Sequence, residues 1–377
     1  MYRGTKPFPD SYISDFVMAN GGAGNAETSF DYTLYWQSLP KQKLAALMEL
    51  EADRMVNLQP REEHVRPELG AVLNERRLAE NNPNFPLLER LFAARFPDHP
   101  YGRLPIGAEA EIKTLDLAKA LAFYRRFYAP NNAVLVVAGD VTESEVRTLA
   151  EQTYGQVPAR KDLSQRTVHR LPDRPLASRV ELEHEGVTTP SIGYYYMTPG
   201  AAALPQADAK ALALLTHIAG TEIIGRVHRR LVMEDRLATS VAASYSPGVQ
   251  AGSLTFTALA APGVAEADLE RALAAQIATL ARDGVSETDV DNARRGFLAA
   301  KVYEDDNHRK RAASYGYARV VGLTIADVDA ADDVVARLTA ADINRVAASI
   351  LGKSQPVIGV LRPRTVSRVV GPKSTVQ

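Results

Sequence analysis

Two carboxylates, Glu68 and Glu75, stand seven residues apart in a stretch whose pattern predicts a helix. Seven residues make two helical turns, so both side chains lie on one face. A carboxylate at the edge of a buried helix can ligate zinc, or it can orient another metal ligand through a hydrogen bond. Other acidic residues lie nearby, namely Glu62, Glu63 and Glu80, so the spacing alone favours an ordinary solvated face.

The seven histidines offer no metal-binding pair. No two of them stand at i and i+4, the spacing by which one helix presents two imidazoles to a metal. His64 precedes a charged stretch and is predicted to be solvated, whereas His99 is predicted to lie in a turn. The sequence also has no Gly-x-Ser-x-Gly, Gly-x-Gly-x-x-Gly or P-loop motif, which disfavours phosphate and dinucleotide chemistry.

A glycine-rich turn and the strand-like run after it form a second unusual segment. Gly21, Gly22 and Gly24 precede Asn25 and Ala26, and an aromatic, β-branched run follows. Glycines permit a tight turn or a close backbone approach, and such a pattern is usually only a hairpin. At a sheet edge, however, free backbone groups could pair with an extended peptide.

Length and composition limit the classes of protein that these residues can belong to. A chain of 377 residues suits two domains, and 46% hydrophobic residues suffice for buried cores. A net charge of −1 gives no argument for binding nucleic acid or an anionic membrane. The absence of cysteine excludes disulfides and thiolate zinc sites. No apolar run approaches the length of a membrane span, and the start has no apolar signal-peptide core.

The chain is predicted to form two domains that must position the carboxylates and the glycine-rich turn. We expect a first domain over 1–160, a proline-containing linker over 161–178, a second domain over 179–366 and a polar tail over 367–377. Hydrophobic periodicity and turn signals predict the elements. The main helices are expected at 41–57, 62–80, 114–128, 206–219, 222–233, 265–282 and 287–314, and the main strands at 133–138, 180–184, 191–197, 237–245, 253–260 and 357–361.

The two halves repeat each other weakly. An offset of 223 residues aligns Leu115 with Leu338, and it brings an amphipathic helix and an apolar strand of each half together. This match predicts two copies of one α+β domain, with chance similarity of two amphipathic helices as the alternative. At an offset of about 225 residues, Glu68 and Glu75 fall on Ala293 and Ala300, so one copy has carboxylates where the other has methyl groups.

The first copy is shorter than the second. From Met1 to Leu115 there are 114 residues, whereas from Arg179 to Leu338 there are 159, a difference of 45. The sequence is therefore expected to begin inside its first domain.

The order of these segments resembles the pitrilysin/insulinase family of zinc metallopeptidases, the inverzincins. The similarity covers nearly the whole chain and rests on several short runs rather than one motif. These runs are Tyr2-Arg3-Gly4-Thr5, Gly21-Gly22 with Asn25-Ala26 and Thr28, Asp31 with Thr33 and Tyr35, Glu68 to Glu75 with Arg76-Arg77, His99-Pro100-Tyr101-Gly102, and Tyr128, Pro130-Asn131-Asn132 and Gly139-Asp140-Val141.

The resemblance implies a fold and a set of roles. The fold would be two tandem homologous α/β-sandwich domains, each an antiparallel-rich sheet with helices on one face, the first of them incomplete. The activity would be that of a metalloendopeptidase in which zinc-activated water hydrolyses a peptide bond. Glu75 would be a zinc ligand and Glu68 an auxiliary catalytic carboxylate, while Asn25 and Ala26 would lie on the strand that binds the substrate peptide.

Two departures from the family pattern limit these roles. The His-x-x-Glu-His motif, which supplies two zinc ligands and the general base, is absent, so this chain is predicted to be inactive as written and to bind zinc poorly. Val232 and Thr239 stand where the family often has an Arg and a Tyr that hold substrate. Since some members divide these functions between two chains, a related partner subunit carrying the Arg/Tyr pair is expected.

A non-catalytic scaffold or binding subunit of the same family is the alternative function. Retention of Glu68, Glu75, Asn25 and Ala26 favours the peptidase. Loss of the Arg and Tyr weakly favours the scaffold or binding subunit. The expected ligand is a peptide, with no nucleic acid and no membrane span. A bacterial periplasm is the suspected location, with the cytoplasm as the alternative.

Overall fold

The structure is a computed structural model that describes residues 3–163, 166–172, 175–176, 178–220 and 225–364, except for the side chains of residues 302, 303 and 305. Its strands are β1 (Ala23–Thr28), β2 (Thr33–Ser38), β3 (Arg179–His184), β4 (Ser191–Pro199), β5 (Ala238–Ser246), β6 (Ala251–Ala260) and β7 (Val357–Pro363). Its α-helices are α1 (Tyr12–Ala19), α2 (Leu44–Asn57), α3 (Glu62–Glu80), α4 (Asn84–Arg95), α5 (Glu109–Ile112), α6 (Leu117–Phe127), α7 (Glu143–Gln152), α8 (Gln206–Gly220), α9 (Arg226–His228), α10 (Glu266–Arg282), α11 (Glu287–Asp305), α12 (His308–Val320), α13 (Ile325–Asp329), α14 (Ala331–Arg337) and α15 (Ala340–Leu351).

The second half of the chain is built on a five-stranded sheet in the order β3-β7-β4-β6-β5. The β3–β7 pair is parallel and the other neighbours are antiparallel. Helices α8, α10 and α15 cover one face of this sheet and form the main core with it. Leu254 and Phe256 of β6 are completely buried there, as expected for a central strand with one face in the core.

A helix of the first half covers the opposite face of this sheet. Leu87 and Leu91 of α4 pack against Val357 and Leu361 of β7. The fit is close at Gly359, where an added Cβ would lie 3.0 Å from a Leu91 methyl carbon. The second sheet is therefore sandwiched between its own helices and one helix from the first half.

A helix of the second half lies against the first half in return. The guanidinium of Arg309, on α12, lies 5.1 Å from the ring centre of Trp36 on β2. Farther along α12, an added Cβ at Gly316 would lie 3.6 Å from a methyl of Val136. Each half therefore contributes one helix to the other, which makes the two halves interdependent.

The helices confirm the repeat that the sequence predicts. Both α3 and α11 have 19 residues, and their bounds, Glu62–Glu80 and Glu287–Asp305, differ by 225 positions at each end. Helices α7 and α15 each begin with a capping box, at Thr142 and at Thr339. The fold is a mixed helix-and-sheet fold with two repeated halves, as expected. The division into 1–160, a linker and 179–366 stays a prediction, and the predicted tail lies outside the described residues.

The predicted strand over 133–138 is wrong. Within the described parts of the chain this segment pairs with no strand, and Val134 and Leu135 are 48% and 46% exposed. Its counterpart β7 has a hydrogen-bonded neighbour on each side, β3 and β4. A strand exists only as part of a ladder, so an apolar, β-branched run without a neighbour stays irregular.

The long helix predicted over 287–314 is in fact two helices. The helix is interrupted at Asp306 and Asn307, and the Asn307 side chain accepts a hydrogen bond from the Lys310 amide at 3.0 Å. Asparagine caps helix starts in this way, because its short amide competes for backbone groups. The helix predicted over 222–233 falls partly on 221–224, which lie outside the described residues. The rest forms α9 and a π-helical stretch over Arg229–Glu234.

Among the helices that the structure describes, each is too short or too polar to cross a membrane.

Candidate functional site

The candidate peptide-binding segment is the hairpin of β1 and β2. Asn25 pairs with Trp36 and Ala26 with Tyr35 in an antiparallel register. Within the described residues β1 pairs only with β2, so this two-stranded sheet leaves one side of β1 without a neighbouring strand. Asn25 is exposed and Ala26 is half-buried, and the Ala26 amide donates to the Asn25 side-chain oxygen at 2.8 Å.

The rear of the hairpin rests on a firm support. The hydroxyls of Tyr35 and Tyr128 lie 2.6 Å apart, and the Arg54 guanidinium lies 4.7 Å from the Tyr35 ring centre. Gln37 on β2 donates to the carboxylate of Glu51 at 3.0 Å. Helix α2 and the residue after α6 therefore hold β2 in place, and β1 forms the outer strand.

The turn between β1 and β2 carries a nearly buried carboxylate that motif reading did not single out for a role. The Asp31 side chain is only 7% exposed. Its oxygens accept hydrogen bonds from the Tyr101 hydroxyl at 2.7 Å, from Arg166 at 2.9 Å and from the Val249 amide at 3.1 Å. Burial is the main cause that raises the pKa of Tyr101 to about 12, so its hydroxyl remains a donor at neutral pH.

The two predicted carboxylates lie on α3, on the outside of the molecule. Glu68 is exposed and forms an ion pair with Arg3, and Glu75 is also exposed. Arg76, the next residue of α3, points into the molecule and is buried. Its guanidinium donates a hydrogen bond to the Gly107 carbonyl at 2.6 Å and forms a salt bridge with Glu89 at 2.9 Å. Successive helical residues differ by about 100°, so the inward direction of Arg76 turns Glu75 towards solvent.

In the second half, the helix equivalent to α3 is α11, and α11 is covered by another helix. Ala293 of α11 corresponds to Glu68, and it is buried in the main core, where α11 packs on α8. At the position of Glu68, α3 therefore carries a carboxylate where the second half buries a small apolar group, whereas Ala300, the counterpart of Glu75, is exposed.

The prediction that His64 is solvated is wrong. The ring is buried, because it closes the start of α3: its Nδ1 accepts from the Arg61 amide at 3.0 Å. Its Nε2 lies 2.9 Å from the Asp10 carboxylate. Asp10 also accepts from the Gly4 amide at 2.8 Å, and this hydrogen bond is the main cause that lowers the pKa of Asp10. The His64 side chain thus stabilises the start of α3.

The described residues do not form a zinc site. A three-ligand site needs nitrogen or oxygen donors that converge on one point. In the described part of the chain, no group of three or more histidine, aspartate or glutamate side chains is close enough to hold a metal ion. Glu68 is engaged with Arg3, and Glu75 stands on an open helix face. The carboxylates alone therefore do not fit the metal that the family resemblance implies.

Solved structures share the fold of the two repeated halves. A crystal structure of a protease from Helicobacter pylori has a TM-score of 0.86 with this chain, at 23% identity, covering 96% of this chain and 86% of that one. A peptidase M16 inactive domain from Pseudomonas fluorescens has a TM-score of 0.84 at 18% identity, covering 97% and 86%. At these identities the likeness shows the fold.

Sequence models identify the family of the chain. Residues 1–108 match the model described as insulinase (peptidase family M16), and residues 114–297 match the model described as the peptidase M16 inactive domain. The chain belongs to this family, as the motif order predicts.

Curated relatives of the chain carry zinc protease names. The zinc protease PqqE of Helicobacter pylori is 27% identical over 299 residues, which cover 78% of this chain and 66% of that protein. An uncharacterized zinc protease of Mycobacterium tuberculosis is 26% identical over 357 residues, which cover 90% of this chain and 77% of that protein. The chain thus matches about two thirds to three quarters of the length of these relatives.

Proposed function

We propose that this chain is a peptide-binding subunit of a zinc-dependent metalloendopeptidase, and that the peptide adds as a strand to β1. The observation that carries the proposal is that β1, in the part of the chain that the structure describes, has only β2 as a neighbouring strand. Extended peptides bind such edges through backbone hydrogen bonds, with side-chain pockets giving selectivity. The zinc protease names of the relatives support the reaction class.

The roles of the two carboxylates follow from the family resemblance. Glu75 would contribute one oxygen ligand to zinc, and Glu68 would be the auxiliary carboxylate beside it. Because the described residues do not surround a metal, no step of hydrolysis is assigned to them. The same observation favours the second candidate, a non-catalytic binding or scaffold subunit, which would share the peptide-binding edge but not the chemistry.

Strand addition can be tested with modified peptides. A fluorescein-labelled, extended peptide of alternating valine and threonine with lysine at both ends is expected to bind, as measured by fluorescence anisotropy. Methylating two adjacent central backbone nitrogens removes one donor from each edge of the peptide. Binding should then weaken about tenfold, since a lost hydrogen bond and the methyl clash together cost about 1.4 kcal/mol.

A matched control keeps the added bulk and restores the donors. A peptide with isoleucine for the valine and O-methylthreonine for the threonine at these two positions adds one carbon to each side chain and keeps both N–H groups, so it should retain the affinity. Peptide binding should also slow amide hydrogen exchange at residues 23–28. Equal affinity of the N-methylated and control peptides, or unchanged exchange over β1, would rule out strand addition.

A second subunit is part of the proposal. Val232 lies in the π-helical stretch against the main core, and Thr239 is exposed on β5, where its hydroxyl lies 3.4 Å from the Leu259 carbonyl. Neither can replace an arginine or a tyrosine chemically. We expect this chain to form a heterodimer with a related chain that carries both, which co-expression and light scattering would detect. Full peptidase activity of a lengthened version of this chain without any partner would refute the requirement.

A further inference from the structure

We propose that Asp31 is a positioning residue that locks the β1–β2 hairpin to the second half of the chain and so holds the β1 edge ready for a peptide. The locking follows from the contacts of Asp31. Only its consequence for peptide binding rests on the proposed function.

The Asp31 carboxylate joins three segments that are far apart in sequence. Tyr101 lies after α4, Arg166 lies between the two halves, and Val249 lies in the turn between β5 and β6. Each donates a hydrogen bond to Asp31, and Arg166 also donates to the Asp31 carbonyl at 2.6 Å. The Gln250 amide closes the network by donating to the Tyr101 hydroxyl at 3.2 Å.

The network lies where two equivalent turns of the repeat meet. Residues 29–32 join β1 to β2, and residues 247–250 join the corresponding strands β5 and β6. Asp31 bonds across this junction, and Tyr317 of α12 supports both sides. Its hydroxyl donates to the Pro247 carbonyl at 2.5 Å, and its ring meets the Tyr32 ring edge-on at 5.8 Å.

The residue before Asp31 prevents the turn from rotating away. The Phe30 ring stacks on Phe92 at 5.0 Å between centroids and lies 5.3 Å from the Tyr101 ring. Because Phe92 belongs to α4, the helix that packs against the second sheet, the turn is tied to the second half by aromatic packing as well as by charge. Aromatic pairs of this kind add directional stabilisation to buried area.

The charge of Asp31 is matched to this environment. A nearly buried carboxylate is tolerated only when donors surround it, and here a hydroxyl, an amide and one guanidinium do so. Asparagine has the same shape, but its NH2 group would face one of these donors. Asp31→Asn should therefore open the junction without creating a cavity.

The test is hydrogen exchange by mass spectrometry on the purified chain, with and without Asp31→Asn. We expect amides of residues 23–38 and 247–250 to exchange at least about tenfold faster in the variant, which corresponds to about 1.4 kcal/mol. Amides of α10, in the main core, should not change. Affinity for the valine–threonine peptide should fall about tenfold in the same preparation.

Two further variants keep the test decisive. Asp140→Asn makes the same charge change at a side chain that is 94% exposed, where it pairs with Lys41, and should alter neither measurement. Tyr101→Phe removes one donor and spares the carboxylate, so it should loosen the same two turns to a smaller degree. It carries the test if Asp31→Asn does not fold.

Four outcomes separate the locking role from the proposed function. Faster exchange confined to residues 23–38 and 247–250, with weaker peptide binding, supports both. The same exchange pattern in a chain that never binds the peptide supports the lock and removes the peptide-binding function. Unchanged exchange at the turns in Asp31→Asn and Tyr101→Phe overturns the lock. Equally faster exchange throughout the chain also overturns it, because Asp31 would then be a general stability residue.

Discussion

Replacing Phe256 by alanine is expected to destabilise the second half of the chain by about 3–5 kcal/mol. The side chain is completely buried on β6, between β4 and β5, and its ring meets the Tyr196 ring edge-on at 6.4 Å. Removing it leaves a cavity that sheet and helices on both sides can fill only partly. In thermal unfolding followed by circular dichroism, the midpoint should fall on the order of 10 °C.

The control for this prediction is the same truncation at an exposed position. Phe123 of α6 is 58% exposed, and its ring centre lies 4.6 Å from that of Phe127. Phe123→Ala should cost at most about 1 kcal/mol. Comparable losses for Phe123→Ala and Phe256→Ala would show that the main core is not where the structure places it.

The elements that could be predicted from sequence are those with strong local signals. The bounds of α3 agree with the predicted helix over 62–80 even though Pro67 lies within its second turn. The strands β4 and β6 were also expected, because an apolar and aromatic run predicts β4 and an alternation of apolar residues with Ser and Thr predicts β6. Local periodicity suffices where a segment packs in the way that its own pattern favours.

The failures have one physical cause, which is dependence on distant residues. The run over 133–138 has the composition of a strand, but pairing is decided by a neighbour. The spacing of Glu68 and Glu75 correctly places them on one helical face, but only the buried Arg76 decides which face turns outward. Asp31 could be found as part of a motif, whereas its bond to Val249 spans the two halves and leaves no local signal.

The exchange of helices between the halves explains how the β1–β2 hairpin, the proposed peptide-binding edge, is held in place. An isolated hairpin is only marginally stable in water. Here β2 is backed by α2, faces α12 through Trp36 and Arg309, and is tied at its turn by Asp31. The second half thus supplies stability that the hairpin lacks by itself.

The purified 377-residue chain is expected to retain less than about one zinc ion per ten chains after exposure to zinc and dialysis, because stable sites need at least three converging ligands. Of the two predicted carboxylates, Glu75 offers an exposed oxygen ligand on α3, and Glu68 is paired with Arg3. Peptide hydrolysis by the chain alone should be absent for the same reason. Elemental analysis by mass spectrometry and a fluorogenic peptide assay measure the two quantities.

Substitution at the predicted ligand makes the zinc experiment specific. Glu75→Ala should leave the zinc content unchanged, and so should Glu80→Ala, since Glu80 already forms an ion pair with Arg76 at 2.9 Å. One zinc per chain that is lost in Glu75→Ala but kept in Glu80→Ala would contradict the prediction and establish Glu75 as a ligand within this chain. Peptide binding without zinc or hydrolysis would instead favour the scaffold or binding subunit, because strand addition to β1 needs backbone groups and no metal.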